Sequence, residues 1–175
     1  MNASKLAIGC AAILLSVSAP AQDSAVLKTF EEIVRNCEAG FGDAVNVFHQ
    51  QRLSRWLKRE IVEPKIAFDV KRSDSLVSPF TATLNASYRV LSGGAPTKEE
   101  ADTLRLDNSG SVETRAEVLR YAYQGGVWKT VSARSESRYR SSTGATSPTP
   151  TILDYTAEQA IHPTGLQGPI RGCLK

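Results

Sequence analysis

Histidine, methionine and aromatic residues are scarce in this chain, which limits the chemistry it can carry. Its 175 residues include two His, one Met and 7% aromatic residues. His49 and His162 are far apart in sequence, and neither has a cysteine or carboxylate at metal-ligand spacing. A G-x-S-x-G motif is missing, as is a glycine-rich loop that opens a helix after a strand. We therefore expect no metal, no cofactor and no enzymatic activity.

Long apolar runs are also absent, except at the N-terminus. The first residues, MNASKLAIGCAAILLSVSAPAQ, contain one cation (Lys5), an apolar run over 6–17 and the triplet Ala-Pro-Ala at 19–21. This pattern is typical of a signal peptide cleaved after Ala21, and an uncleaved anchor is the alternative. Cys10 lies inside the apolar run, whereas a lipid-anchored cysteine would follow it. We expect a periplasmic or secreted protein without a membrane span.

Cysteine is rare too, with three residues in the chain. Signal cleavage would remove Cys10 and leave Cys37 and Cys173. An even number of cysteines in an oxidising compartment predicts a disulfide, here between the first helix and the end of the chain. Two free buried thiols are the alternative.

The charge balance of residues 22–175 points to no particular polyanion. Lys5 is the only charged residue removed with the signal peptide, so 20 of the 21 Lys and Arg remain against 18 Asp and Glu. An exported protein of such low net charge is not expected to bind nucleic acid. The length is that of a single domain, which we place over 22–140 as an α+β domain. The composition predicts a Ser/Thr/Pro-rich linker over 141–151 and a loop-rich C-terminal tail over 152–175.

The first element is predicted to be an amphipathic helix that ends near Gly40. Its apolar stripe at the helical period is formed by Val26, Leu27, Phe30, Ile33, Val34 and Cys37. A second helical segment is predicted within 43–64. There Arg52, Arg55 and Arg59 fall at helical spacing and form a candidate basic patch for an acidic partner or anionic headgroups. A solvated helix face is the alternative.

From Lys65 onward the hydrophobic period becomes two, which predicts four mainly antiparallel strands. In the segment from Phe80 to Val90 the even-numbered side chains are apolar or small and should point inward. Thr97 and Glu100 form a capping-box pattern, so a helical turn is expected in the long connection that follows.

The segment EVLRYAYQGGVWKTVSARSESR predicts a hairpin with a two-residue turn at Gly125 and Gly126. With that turn, paired residue numbers sum to 251. Glu117 then faces Arg134, Arg115 faces Glu136 and Glu113 faces Arg138, and this ladder of charges would lie on the outer face. The inner face would carry small and apolar side chains: Val112, Ala116, Val118, Ala122, Val131, Ala133 and Tyr139.

The same register places an aromatic cluster on the outer face near the turn. Its members are Leu119, Tyr121, Tyr123 and Trp128. Because Tyr and Trp are enriched at interfaces, this cluster is the candidate partner-binding surface. Two alternatives need no partner: the aromatic pairs stabilise the hairpin, or the C-terminal tail covers them.

The order of elements predicts an α+β fold, with the N-terminal helix and a second helical segment on a four-stranded sheet, and with the tail tied back by the disulfide. In outline this arrangement resembles the cystatin-like and NTF2-like architectures, a resemblance of element order that carries no function.

Two functions are compatible with this expectation. The first is a non-catalytic interaction domain that binds another envelope or secreted protein, for example as an inhibitor or immunity protein. The second is a small-ligand pocket of NTF2-like type, with hydrolase or isomerase activity as a variant. That pocket would be lined by Phe68, Leu84, Tyr88 and Tyr139, with Arg120 or Lys129 near its mouth.

Overall fold

The computed structural model describes residues 19–42, 45–162 and 168–175, with side chains from Asp23 onward. The predicted signal peptide therefore lies almost entirely outside the described residues. The fold is α+β, as predicted, with one long helix, α1 (Ala19–Gly40). Its strands are β1 (Val45–Gln50), β2 (Arg55–Arg72), β3 (Phe80–Ala95), β4 (Ser111–Gln124), β5 (Val127–Arg140) and β6 (Thr151–Thr156). Two short helices are α2 (Lys98–Thr103) and α3 (Ala157–Ile161), and 3-10 turns cover Gln51–Leu53 and Pro169–Cys173.

The six strands form one antiparallel sheet whose order follows the chain. Six strands replace the expected four, because β1 and β6 add one strand at each edge. We call the face that contacts α1 the inner face and the opposite face the outer face. In β3 the predicted alternation is confirmed, since its even-numbered residues from Phe80 to Val90 are all buried.

Helix α1 packs its predicted apolar stripe on the inner face, and it ends at Gly40 as expected. Phe30 is fully buried and its ring contacts Phe68, Tyr121 and Trp128 at centroid distances of 5.6, 5.1 and 4.9 Å. Leu27 is the exception in the stripe, with 39% of its surface exposed. No helix in the described part of the chain is long and apolar enough to cross a membrane.

The second predicted helix, over 43–64, is wrong. Its described residues form β1, the 3-10 turn at Gln51–Leu53 and the first half of β2. Ser54 takes a left-handed conformation (φ 48°) that turns the chain between the two strands. Because β2 pairs with β3 along its length, from Trp56 opposite Ala95 to Arg72 opposite Phe80, inter-strand hydrogen bonds override a weak local helical preference.

Two irregularities change which side chains reach the inner face. In β2 the register shifts between Val62 and Lys65, where Glu63 has φ 55° and Pro64 has no N–H to donate. The inner face therefore receives even-numbered residues after this bulge, such as Ile66, and odd-numbered residues before it, such as Ile61.

The second bulge lies in β5. The Gly125–Gly126 turn is confirmed, and near it the pairs sum to 251, as for Tyr123 and Trp128. Beyond the register shift between Arg120 and Tyr121 the pairs sum to 252, which leaves Val131 as the extra residue. The predicted charge ladder is therefore wrong, since Glu117, Arg115 and Glu113 pair with Ser135, Ser137 and Tyr139.

The C-terminal segment returns to α1, and the sulfur atoms of Cys37 and Cys173 lie at disulfide distance, as predicted. Both cysteines and Ile170 are fully buried. The tail is less loop-rich than expected, because β6 pairs with β5 and α3 begins with a capping box between Thr156 and Gln159. The predicted capping box of Thr97 and Glu100 is also present, at the start of α2.

Candidate functional site

A cavity of about 410 Å³ lies on the inner face of the sheet, at the end of α1. Side chains of β1 to β4 line one side, and backbone at Gly40 and in the C-terminal segment lines the other. The lining residues are Gly40, Asn46, Phe48, Arg59, Ile61, Tyr88, Val90, Glu113, Arg115, Gly168, Pro169 and Gly172.

The sheet register explains why these side chains converge. Val90 of β3 pairs with Ile61 of β2 on one side and with Glu113 of β4 on the other, so all three share the inner face. Tyr88 and its partner Arg115 form the next row along the same face. The β2 bulge is essential, since without the inserted residue Ile61 would point outward.

Glycine allows the C-terminal segment to approach the end of α1. A Cβ atom at Gly40 would lie 2.7 Å from the carbonyl oxygen of Pro169. A Cβ atom at Gly172 would lie 3.2 Å from the carbonyl oxygen of Asn36. The backbone that closes the cavity is therefore packed directly on the helix, and the disulfide joins the same two segments.

Two of the three charged side chains in the cavity neutralise each other. Arg115 Nε donates to Glu113 Oε1 at 2.9 Å, and both side chains are less than one-third exposed. The third, Arg59, has its guanidinium 5.2 Å from the centroid of the Phe48 ring. Among the described residues no carboxylate pairs with Arg59, so the lining carries one uncompensated positive charge.

A buried carboxyl lies next to the cavity. Glu117 is 1% exposed, and its Oε1 accepts hydrogen bonds from Ser135 Oγ at 3.0 Å and from Tyr88 Oη at 3.4 Å. Its other oxygen, Oε2, is buried and has no partner among the described residues. Burial raises the pKa of Glu117 to about 7. The hydrogen bond from Ser135 and the charge of Arg115 act in the opposite direction and lower this pKa, but burial has the larger effect.

Tyr88 connects this carboxyl to the cavity, because it lines the cavity and also bonds Glu117. Burial, together with the nearby Glu117, raises the pKa of the Tyr88 phenol to about 12. The phenol therefore stays protonated at neutral pH and can donate one hydrogen bond. A ligand would meet Tyr88 directly, whereas Glu117 is reached only through it.

The aromatic cluster predicted on the outer face belongs to the core. Leu119, Tyr121 and Trp128 are 0%, 1% and 6% exposed, and Tyr123 is half-buried. The expectation of an exposed cluster is wrong, because burying large aromatic rings under α1 removes more apolar area from water than burying the small residues of the other face. The cross-strand pair of Tyr123 and Trp128 is confirmed, with centroids 5.2 Å apart.

The C-terminal tail contacts this cluster, in line with one of the alternatives. Tyr121 Oη donates to the Cys173 carbonyl oxygen at 2.8 Å, and Lys175 N donates to Thr130 Oγ1 at 3.0 Å. Trp128 Nε1 donates to Thr29 Oγ1 of α1 at 3.1 Å. The polar atoms of the buried rings are thus satisfied inside the protein.

The three arginines of the predicted basic patch do not share a helix face. Arg52 lies in the exposed 3-10 turn, Arg55 begins β2 beside Gly94, and Arg59 alone lines the cavity. Of the residues proposed for a pocket, only Tyr88 lines the cavity. Phe68 packs on Phe30, and Leu84 is fully buried in the core.

Sequence reasoning missed most of the cavity for two reasons. The predicted helix over 43–64 contains Asn46, Phe48 and Ile61, and the predicted hairpin register places Glu113 and Arg115 on the outer face. The useful signal is the change along the odd-numbered residues of β4, which are charged from Glu113 to Glu117 and apolar or aromatic from Leu119 to Tyr123. Such a change marks the point where a covering helix ends.

No group of three potential metal ligands lies together within residues 19–42, 45–162 and 168–175. No protein-family model, no curated protein and no solved structure matches this chain. The candidate site therefore has to be interpreted from its own geometry.

Proposed function

We propose that this chain is an exported domain that binds a small, partly apolar ligand in the cavity at the end of α1. The observation that carries this proposal is the convergence of four strands and the C-terminal segment on a space of about 410 Å³. Ligand sites are typically mostly apolar concavities of about 300–1,000 Å³ with a few polar groups placed to orient the ligand.

The lining has that composition. Phe48, Ile61 and Val90 supply apolar surface, and the ring of Tyr88 adds to it. Asn46 and the charged side chains described above supply the polar groups. A ligand with a flat or branched apolar body and one polar end fits this distribution.

The frame around the cavity is rigid, which favours binding. The floor is made of long paired strands, and Tyr88 and Val90 belong to β3, which is paired on both sides. The disulfide lies one residue from Gly172 and three from Gly40, so it fixes both backbone segments that close the cavity. A preformed site loses little conformational entropy when the ligand binds.

The interaction-domain hypothesis loses its main support, because it depended on an exposed aromatic cluster. A catalytic role is also less favoured than binding, since Glu117 does not line the cavity. One helix over an antiparallel sheet with a cavity between them still resembles NTF2-like pocket proteins in outline, and we treat this as analogy alone.

Export is proposed from the N-terminal pattern and the cysteine pair. It predicts a mature chain that begins at Gln22 in a periplasmic extract, which intact mass would detect. A chain in the cytosol that retains Met1 would contradict it.

The cavity is tested with three probes that share a naphthalene body: 2-naphthalenesulfonate, 2-naphthalenemethanol and 2-naphthylmethylammonium. We expect at least one to bind the wild type in calorimetric titrations. Ile61→Trp should weaken that binding about tenfold or more by filling the cavity, while Val62→Trp, the neighbouring position on the outer face, should leave it unchanged. The proposal fails if no probe binds, or if Ile61→Trp binds like the wild type although circular dichroism shows the same fold.

A further inference from the structure

We infer that the ligand of this cavity is an organic anion, whose carboxylate, sulfonate or phosphate group binds Arg59 while its apolar body lies against Ile61, Tyr88 and Val90. This inference rests on the proposed function and specifies its ligand class. It follows from the charges in the lining and from how Arg59 is held.

The charges favour an anion over a cation. Arg115 and Glu113 form a close ion pair whose opposite charges cancel, so the pair adds no net charge to the lining. The carboxyl of Glu117 is buried behind Tyr88 and cannot contact a ligand in the cavity. Arg59 remains as the charge that a ligand can neutralise, and a bound cation would be repelled by it.

Arg59 is positioned for recognition. Its guanidinium lies over the Phe48 ring, an arrangement that attracts the cation to the face of the ring and restricts its motion. The N–H groups of a planar guanidinium can bind a carboxylate or sulfonate through two parallel hydrogen bonds.

Asn46 provides a second polar group at the same place. It pairs directly with Arg59 across β1 and β2, and both residues line the cavity. Side chains of directly paired residues lie close together on one face of a sheet. The Asn46 amide can therefore donate to the anion that Arg59 binds.

A neutral ligand would be held less well. It would remove water from Arg59 without replacing the lost hydrogen bonds to the charge, which is unfavourable. The arginine is thus expected to discriminate against neutral and cationic ligands of the same shape, and not only to add affinity for anions.

The test compares the sulfonate, alcohol and ammonium probes on the wild type, Arg59→Met and Arg52→Met. Methionine keeps the apolar stem at Arg59 and removes the charge, and Arg52 is a matched arginine outside the cavity. We expect the wild type to bind the sulfonate about tenfold or more tightly than the alcohol, the range of a charge-assisted hydrogen bond, and the ammonium most weakly. Arg59→Met should remove the preference for the sulfonate, and Arg52→Met should keep it.

A second readout does not depend on any variant. The Nε–Hε resonance of Arg59 should shift when the sulfonate is added to the wild type and stay in place with the alcohol. Equal or tighter binding of the alcohol or the ammonium, or an unchanged preference in Arg59→Met, overturns the anion inference while leaving the cavity proposal in place. Failure of all three probes to bind the wild type overturns both.

Discussion

At the scale of single residues, the unusual group in this protein is Glu117. Its carboxyl is buried on the inner face, one oxygen has two hydrogen-bond donors and the other has none. A charged carboxylate in this position is disfavoured because water is removed and only part of its hydrogen-bonding capacity is met. The folded protein therefore prefers the protonated acid.

This preference makes stability depend on pH. The pKa of Glu117 is raised from 4.5 to about 7 in the folded state, so the folded protein binds a proton more tightly than the unfolded chain. The stabilisation is fully present below pH 4.5 and is lost as pH rises through about 7. The difference corresponds to about 3 kcal/mol in the free energy of unfolding between pH 4.5 and pH 8.

Glu117→Gln should remove this contribution, because glutamine keeps an acceptor for Ser135 and Tyr88 and cannot ionise. We compare the free energy of unfolding of the variant with that of the wild type at each pH. This difference should be about 2–3 kcal/mol more favourable to the variant at pH 8 than at pH 4.5. Urea unfolding at the two pH values measures this difference. The exposed control Glu99→Gln should track the wild type, and parallel curves for Glu117→Gln and wild type would contradict the assignment.

At the scale of elements, the turn and the register of the hairpin formed by β4 and β5 depend on different features of the chain. The turn itself depends on two adjacent glycines with positive φ, 58° at Gly125 and 85° at Gly126. Because this requirement is local, the Gly-Gly pair in the sequence is enough to predict the turn. The register beyond it depends on the bulge at Val131, and no residue type marks that bulge. The predicted turn is therefore confirmed and the predicted charge pairs are wrong.

Substitutions at the two turn glycines change the backbone preference without creating a steric clash, since an added Cβ at either glycine meets no atom within 4 Å. Gly126→Ala should lower the free energy of unfolding by about 1 kcal/mol, because alanine disfavours positive φ. Gly125→Asn should stay within a few tenths of a kcal/mol, since asparagine tolerates this conformation at the first position of such turns. Urea unfolding of both variants measures the difference, and equal losses would argue against a turn of this type.

The inverted face of β4 has a similar origin. Alternation predicts that odd-numbered and even-numbered residues lie on opposite faces, but it does not state which face is buried. Four of the seven even-numbered residues are Val or Ala, and the odd-numbered residues from Glu113 to Tyr123 combine charged, apolar and aromatic side chains. Both faces can look like a core until the position and length of α1 are known.

At the scale of the whole molecule, the disulfide joins the first helix to the last residues of the chain, 136 positions apart. In the chain-entropy model a link of this length stabilises the folded protein by at most about 5 kcal/mol. It also closes the cavity, because Gly172 and Pro169 reach the cavity only while the C-terminal segment is packed on α1.

The double variant Cys37→Ala/Cys173→Ala should lose about 2–5 kcal/mol in the free energy of unfolding. Amide hydrogen exchange should accelerate more in 168–175 than in β3 and β4, because the tail loses its link to α1 in addition to the loss of global stability that the core amides share. Probe binding should weaken in parallel. Wild type kept in reductant lacks the disulfide but keeps both cysteine side chains, so it separates loss of the link from the effect of the alanines. Unchanged exchange in 168–175 would show that the tail is held by packing alone.

Several features of this protein can be predicted from the amino-acid sequence because they depend on local chemistry. These are the amphipathic helix, the alternation in β3, the glycine turn, the capping box of Thr97 and Glu100, and the pairing of Cys37 with Cys173. Each depends on residues within a few positions of one another, or, for the disulfide, on the expectation that Cys10 is removed with the signal peptide.

The remaining features depend on contacts between segments that are distant in sequence. Residues 45–50 and 55–62 become strands because β2 pairs with β3 and β1 pairs with β2, and the two bulges determine which side chains face inward. The cavity exists because α1 ends at Gly40 while the sheet continues beyond it, so charged residues of β4 meet a glycine-rich backbone and not a helix. Its location follows from the relative lengths of elements that are distant in sequence, which no local pattern encodes.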